Sequence, residues 1–249
     1  MAPGAEVAEA NGDAGVGGAP YRILSFDIGV KNLACCVLEL DRDPTVRAGS
    51  GAGGGDAEAG TESARVLFWT VFSLAAEKER IPSVNELAGR LFTVMDRLVA
   101  DLESVAGIAT LDMVLLENQP SRLNGAMKSL QMMLYSYFQL RRHWEGRAAA
   151  VQMVSAGKKT QGHDCEIATP ESCGYKPKKG YALNKWNAIQ IAQKYIGGDA
   201  ELERLFAAHK KKDDLSDALC QALAWVRKHG YRVAEGCVKN DIKDLCGGH

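Results

Sequence analysis

The sequence contains no run of about 18 apolar residues, so we expect no membrane-spanning helix. Its first twenty residues, MAPGAEVAEANGDAGVGGAP, are mostly small, with three acids and no base. They therefore lack the arginine-rich amphipathic pattern of a mitochondrial or chloroplast transit peptide. We interpret residues 1–20 as a disordered tail.

The chain has seven cysteines, an odd number, at irregular spacings, and we find no pattern of a secretory signal before them. This pattern favours reduced thiols in an intracellular protein over a disulfide framework. His163, Cys165 and Cys173 raise the alternative of a zinc site. The spacing between the two cysteines is unusual for zinc, and the sequence shows no obvious fourth ligand.

Charge is distributed unevenly along the chain. Residues 1–63 carry ten acidic and four basic side chains, whereas residues 121–194 carry twelve Lys and Arg against four Asp and Glu. Clustered cations gain free energy when they replace the counterions of a polyanion. The basic segment therefore indicates a nucleic-acid partner, and a solvated basic face is the alternative.

Apolar periodicity predicts five strands and four helices in the order β-β-β-α-β-α-β-α-α. The strands cover 21–28, 33–40, 65–74, 111–118 and 148–156, and the helices cover 83–107, 123–145, 182–197 and 213–230. We expect an α/β fold with one mixed sheet, its first three strands antiparallel, flanked by helices. The domain would span 21–230, with a flexible Gly-rich insertion at 41–64 and a C-terminal tail at 231–249.

Acidic residues stand at the ends of three predicted elements. Asp27 lies in the first strand, Glu117 closes the fourth, and Asp213, Asp214 and Asp217 begin the last helix. The first and fourth strands can be neighbours in a mixed sheet, and a helix across them would bring its first turn to the same place. Converging carboxylates repel one another unless a cation neutralises them, and such hard oxygen ligands suit Mg2+ or Mn2+. Two such ions can promote phosphodiester hydrolysis.

Each acid also has a purely structural interpretation. Asp27 can form a turn, Asp213 and Asp214 can cap a helix, and Glu117 can pair with Arg122. We favour a common site because three independent elements each place an acid where one site would form. Gly29, two residues after Asp27, would let a ligand or another backbone segment come close.

Three segments resemble the motifs of Holliday junction resolvases of the poxvirus and fungal mitochondrial type, within the ribonuclease H-like superfamily. SFDIGVKNLA (25–34) is similar to their first motif, and LLENQPSR (115–122) is similar to their second. KKDDLSDAL (211–219) resembles their last motif. The resemblance extends over about 21–230 apart from the insertion.

The resemblance implies a ribonuclease H-like fold with a five-stranded sheet of three antiparallel and two parallel strands. It places Asp27, Glu117, Asp214 and Asp217 on the acidic positions of the family's catalytic metal site, with Asp213 a neighbour that could be confused with Asp214. It further implies two Mg2+ ions (Mn2+ is possible) in each active site. A homodimer would then cut four-way DNA junctions by paired symmetric nicks, with water as the nucleophile.

Candidate nucleic-acid contacts fall into two groups. The resemblance places Lys31, Asn32, Gln119 and Arg122 beside the metal site. The basic segment adds possible phosphate ligands at Lys158, Lys159, Lys176, Lys178, Lys179 and Lys185. The helix over 127–144 is apolar on more than one face, so part of it can form a dimer interface, with plain burial as the alternative.

Other functions remain open at this stage. The same acids would serve another ribonuclease H-like nuclease, either an RNA–DNA hybrid nuclease or an exonuclease. A sugar-kinase-like ATPase would need a second Asp-x-Gly hairpin, which we do not find. A catalytically silent junction- or RNA-binding module would gain nothing from clustered acids. Within the cell, the sequence does not separate mitochondrion, nucleus and viral replication site.

Overall fold

The computed structural model describes residues 19–41, 44, 62–104, 108, 110–119, 125–145, 149–155, 159 and 180–242. Several predictions fall outside the described residues. They concern the tail over 1–18, most of the Gly-rich insertion, the possible zinc ligands, and the nucleic-acid contacts Arg122, Lys158, Lys176, Lys178 and Lys179.

Six strands and five helices make up the described part of the chain. The strands are β1 (Tyr21–Asp27), β2 (Leu33–Leu40), β3 (Glu62–Phe72), β4 (Met113–Asn118), β5 (Ala150–Ser155) and β6 (Val233–Asn240). The helices are α1 (Val84–Ser104), α2 (Gly125–Glu145), α3 (Tyr181–Ile196), α4 (Ala200–Ala208) and α5 (Lys212–Lys228).

The strands form one mixed sheet in the order β5-β4-β1-β2-β3-β6. β1, β2 and β3 are successively antiparallel, and β4 and β5 continue the sheet parallel to β1. The predicted α/β class and mixed sheet are confirmed. The predicted count of five strands is wrong, because Val233–Asn240, assigned to the C-terminal tail, pairs in parallel with β3 as a sixth strand.

The turn between β1 and β2 requires glycine at one position. A Cβ atom on Gly29 would lie 2.4 Å from the backbone oxygen of Asn32, which is closer than any carbon can approach without displacement. The backbone N–H of Leu74 donates to the carbonyl of Val30 at 2.9 Å, so the loop after β3 supports this turn. The turn thereby fixes the end of β1, where Asp27 lies.

Helices cover both faces of the sheet. α3, α4 and α5 pack on the face that includes Ile23, whereas α1 and α2 pack on the face that includes Leu24 and Phe26. Because side chains alternate along a strand, Asp27 shares the face of Ile23 and lies on the side of α5. Among the described residues, none of the helices combines the length and the apolar character that crossing a membrane would need.

Candidate active site

Two neighbouring parallel strands end side by side with an acid each. β1 and β4 pair in register from Ile23 with Met113 to Phe26 with Leu116. The next residue on each strand is therefore Asp27 on β1 and Glu117 on β4. The carboxyl ends of adjacent parallel strands in an open sheet are a usual place for a ligand site.

Gln221 on α5 forms hydrogen bonds to both of these strands. Its side-chain amide nitrogen donates to Ser25 Oγ at 3.0 Å, to the Phe26 carbonyl at 3.1 Å and to the Leu115 carbonyl at 3.3 Å. The side chain is 2% exposed and lies one helical turn after Asp217. One buried amide thus ties together the three elements that carry the acids. Sequence reasoning missed it, although a single amide in the apolar run ALCQALAW was a visible signal.

The ammonium group of Lys159 lies among three of the acids. Its Nζ is 2.6 Å from Asp27 Oδ1, 3.2 Å from Glu117 Oε2 and 3.5 Å from Asp217 Oδ2. The side chain is 6% exposed, so the charge is buried with its partners. We predicted Lys159 as a phosphate contact; the structure places it within the acid cluster, which we define as Asp27, Glu117, Asp214 and Asp217.

The two consecutive aspartates at the start of α5 have different surroundings. Asp213 forms an ion pair with Lys185. Asp214 has a buried Oδ2 atom with no hydrogen-bond partner among the described residues. Charge repulsion from Asp27 and Asp213 reaches the Asp214 carboxyl. Lys185 and Lys211 offset this repulsion only in part, so Asp213 has a close ion-pair partner whereas the Asp214 carboxyl experiences a net repulsion.

Burial makes the acid cluster difficult to ionise. Burial raises the pKa of Glu117 to about 7, with the hydrogen bond and the charge of Asp27 adding to it and Lys159 opposing it. Burial likewise raises the pKa of Asp214 and of Asp217 to about 6, and Asp27 contributes to both. Burial lowers the pKa of Lys159, but Asp27, Asp217 and Glu117 together raise it above its usual value. The cluster is thus short of positive charge even with the lysine present.

Gln119 supports Glu117 directly. Its side-chain nitrogen donates to Glu117 Oε2 at 3.0 Å, and its backbone N–H donates to Oε1 of Gln131 at 2.8 Å. Gln131 is 1% exposed and also accepts from Lys128 Nζ at 3.0 Å. A chain of hydrogen bonds therefore runs from α2 to the carboxylate. Gln119, predicted as a nucleic-acid contact, orients an acid in this structure.

Lys31 and Asn32 occupy the turn after β1. The ammonium of Lys31 donates to the backbone oxygen of Glu77, in the loop after β3. The backbone of Asn32 packs against Gly29. These positions do not test whether Lys31 and Asn32 contact nucleic acid, which stays a prediction. The same holds for Lys185, which pairs with Asp213 in this structure.

The oxygen atoms of the acid cluster are of the type that binds a divalent ion, but Lys159 occupies the space between them. Within the described residues, no three Asp, Glu, His or Cys side chains are arranged closely enough to hold a metal as they stand. The ammonium of Lys159 stands between three of the carboxylates, and one Asp214 oxygen is buried without a donor. Oxygen-only donors fit Mg2+ or Mn2+. An ion can therefore bind centrally only once the Lys159 ammonium moves aside.

The comparison with known sequences is sparse. No protein-family model matches the chain. The chain is 28% identical over 115 residues to an uncharacterized protein of Acanthamoeba polyphaga mimivirus. That match covers 45% of this chain and 28% of the viral protein, so it spans less than a third of the relative.

Solved structures whose backbone follows a similar path include resolvases. The yeast mitochondrial Holliday junction resolvase has a TM-score of 0.49 at 17% identity, over 85% of this chain and 81% of that chain. The fowlpox virus Holliday junction resolvase has a TM-score of 0.47 at 12% identity, over 83% of this chain and 99% of that chain. Thermus thermophilus RuvC has a TM-score of 0.46 at 13% identity, over 86% of this chain and 98% of that chain.

Proposed function

We propose that this chain is a metal-dependent endonuclease that cuts branched DNA, with the four-way junction as its substrate. One observation carries the proposal. Asp27, Glu117 and Asp217 come from three separate elements, and each places a carboxylate oxygen within 3.5 Å of one nitrogen atom. Burying so much like charge costs free energy, which indicates that the acids serve a bound cation.

The four acids have distinct supports in this arrangement. Asp27 and Glu117 lie on rigid strand ends, and Asp214 and Asp217 lie on the first turns of α5. These side chains would hold two Mg2+ or Mn2+ ions. When bound, the ions would stabilise the attacking and leaving oxygens of an in-line phosphoryl displacement by water.

The remaining side chains keep this geometry. Gln119 orients Glu117, and Gln221 holds α5 against β1 and β4. Lys159 keeps its proton at neutral pH, because the three carboxylates raise its pKa. Once displaced from the acids, its Nζ would provide a positive charge beside the phosphate that is cut.

We also propose that two copies act together, since a four-way junction presents two equivalent strands for symmetric cutting. Six large apolar side chains are exposed in the described part of the chain, and all lie on α1, on α2 or just before α1. They are Ile81, Val84, Phe92, Met132, Leu140 and Trp144. Trp144 is 77% exposed and Leu140 is 55% exposed, one turn apart on α2. This layer, on the sheet face away from the acids, is the surface we assign to the second copy.

A second function is favoured by one observation. The Lys159 ammonium already neutralises part of the acid cluster without metal. A junction-binding protein without catalytic activity would need such an internal counter-ion. The two functions differ in whether Mg2+ displaces the lysine.

The test is cleavage of a labelled synthetic four-way junction, with linear duplex and RNA–DNA hybrid beside it, each in Mg2+ and in EDTA. We expect paired symmetric nicks in the junction alone, and none in EDTA. Asp27→Asn should reduce the rate by about 100-fold or more, as the loss of a charge-stabilising group does, while junction binding persists. Asp101→Asn on α1 is the matched control, because it removes one partly exposed carboxylate on the opposite face of the sheet.

Each alternative outcome has a clear meaning. Cutting of the hybrid in place of the junction would keep the acid cluster and assign the protein to another class of ribonuclease H-like nuclease. Tight junction binding with no cutting in Mg2+ or Mn2+ would establish the silent binding protein.

A further inference from the structure

A groove lies between β5 and α5 and begins at the acid cluster. Its volume is about 670 Å3, and the wall includes Ser155 at the end of β5 together with Lys159, Gln221, Arg227 and Lys228. Among the ten described residues that line it, three are cationic and none is Asp or Glu. The described wall is therefore positively charged, directly beside a cluster that is negatively charged.

The cations stand at both ends of the groove. Lys159 contacts Asp217 on the first turns of α5 at 3.5 Å. Arg227 lies ten residues further along the same helix, which corresponds to about 15 Å at 1.5 Å per residue. A distance of this size accommodates a few nucleotides of one strand, with a phosphate near each end.

Gln221 forms part of the groove wall next to the acid cluster. Its side-chain nitrogen makes the three hydrogen bonds that hold α5 against β1 and β4. The end of the groove beside the acids is therefore fixed by buried hydrogen bonds, and its cations are held at set positions along α5.

We infer that this groove binds a few nucleotides of a single DNA strand next to the phosphate that is cut, with Arg227 and Lys228 holding backbone phosphates at its far end. The position of the cut phosphate rests on the proposed function, because the acid cluster marks that end of the groove. The charge of the groove itself does not depend on catalysis.

The experiment removes the two far-end cations. Binding of a fluorescent single-stranded DNA oligonucleotide is measured by anisotropy in EDTA, between about 50 and 200 mM salt. Arg227→Ala/Lys228→Ala should weaken binding about tenfold or more at the lowest salt concentration. It should also reduce the slope of log affinity against log salt by about 1.4, since each phosphate contact to a single strand contributes about 0.7.

The control is Arg204→Ala/Lys239→Ala. It removes two positive charges from exposed side chains on α4 and β6, near the edge of the sheet opposite β5, and should leave the slope unchanged. Arg227 and Lys228 also lie in the last turn of α5, where cations favour the helix dipole. A purely structural role would lower the melting temperature without changing the slope. Arg227→Lys/Lys228→Arg keeps both charges and should restore the slope.

The outcomes separate this inference from the nuclease proposal. An unchanged slope in Arg227→Ala/Lys228→Ala overturns the groove, even where the wild-type protein cuts junctions. A reduced slope in a protein that cuts no DNA supports the groove and contradicts the nuclease. A wild-type protein that binds no single strand overturns the groove as well.

Discussion

The ammonium nitrogen of Lys159 lies 2.6 Å from Oδ1 of Asp27, although 132 positions separate the two residues along the chain. The same nitrogen is 3.2 Å from Glu117 Oε2. A lysine and a divalent ion are therefore competing counter-ions for one set of carboxylates. Metal affinity, the stability of the fold and its pH dependence should therefore all depend on Lys159 and these carboxylates.

Lys159→Met should destabilise the metal-free protein by about 3 kcal/mol, because it leaves buried carboxylates without their cation. The same variant should gain more stability from Mg2+ than the wild-type protein does. Urea unfolding in EDTA and in Mg2+ measures both effects. Lys194→Met is the control, since Lys194 pairs with Glu235 at 3.5 Å on the surface and should change stability by less than about 1 kcal/mol. Equal Mg2+ gains in the wild-type protein and Lys159→Met would contradict the competition.

Asp214→Asn and Asp213→Asn should differ in effect although the two residues are adjacent. One buried Asp214 oxygen has no donor within the described part of the chain, whereas Asp213 is neutralised by Lys185. We expect junction cleavage to fall about 100-fold or more in Asp214→Asn and less than about tenfold in Asp213→Asn. Single-turnover rates at saturating Mg2+ decide the assignment. The reverse order of rates would show Asp213 to be the ligand.

The metal-free protein should lose stability as the pH rises from about 4.5 to about 7. Burial raises the pKa of Glu117 from 4.5 to about 7, so in this window the folded protein holds a proton that the unfolded chain releases. Relative to Glu117→Gln, the wild-type free energy of unfolding in EDTA should fall by about 3 kcal/mol across the window. Glu103→Gln on α1 should show the wild-type profile. Mg2+ should restore the wild-type stability at pH 8, and a flat difference between wild type and Glu117→Gln would exclude this titration.

Gly29→Ala should cost about 1–3 kcal/mol, because the added carbon would lie 2.4 Å from the Asn32 backbone oxygen and the turn must shift. Gly89→Ala provides the opposite expectation within the same protein. A Cβ there meets nothing within 4 Å, and the site is inside α1, so alanine should stabilise by about 0.5–1 kcal/mol. Urea unfolding of both variants checks the pair. Similar values for the two would mean that the turn is not tightly packed.

Leu140→Asp/Trp144→Asp should convert a dimer to a monomer, since both side chains are exposed one turn apart on α2. Sedimentation velocity measures the mass directly. The monomer should still nick junctions, but the two nicks should no longer be paired. Ala207→Asp on α4, an exposed position of the opposite layer, should remain dimeric. A wild-type protein that sediments as a monomer would contradict the proposed second copy.

Much of the sheet could be predicted from the sequence because its signals are local. The apolar run in 33–40 and the helical spacing in 83–107 each depend on neighbouring residues, and both elements are present. At the start of α1, Ser83 and Glu86 form a capping box that is equally local, with the Ser83 N–H donating to Glu86 Oε2 at 2.8 Å. The strands that carry Asp27 and Glu117 follow from apolar runs of the same kind.

The features that were missed depend on contacts between distant segments. Lys159 is one of several lysines in a basic stretch, and no local pattern distinguishes the one that reaches the acids. Asp213 and Asp214 are consecutive on a helix, so only the position of Lys185 separates their surroundings. The sequence of β6, VAEGCVKN, is interrupted by Gly236, whose φ is 67° where a strand pattern would expect a side chain. A Cβ at Gly236 would lie 2.8 Å from the Gly197 oxygen, so this strand is shaped by packing on the end of α3.

The sixth strand has a practical consequence for anyone shortening this protein. A chain ending at residue 230 would retain every acid of the cluster and all three motifs. It would also leave the outer backbone groups of β3, an eleven-residue strand, without partners. Such an edge is a template on which strands of other molecules can assemble. We expect the shortened chain to aggregate on expression, so that its lack of activity would reflect insolubility and not the loss of a catalytic group.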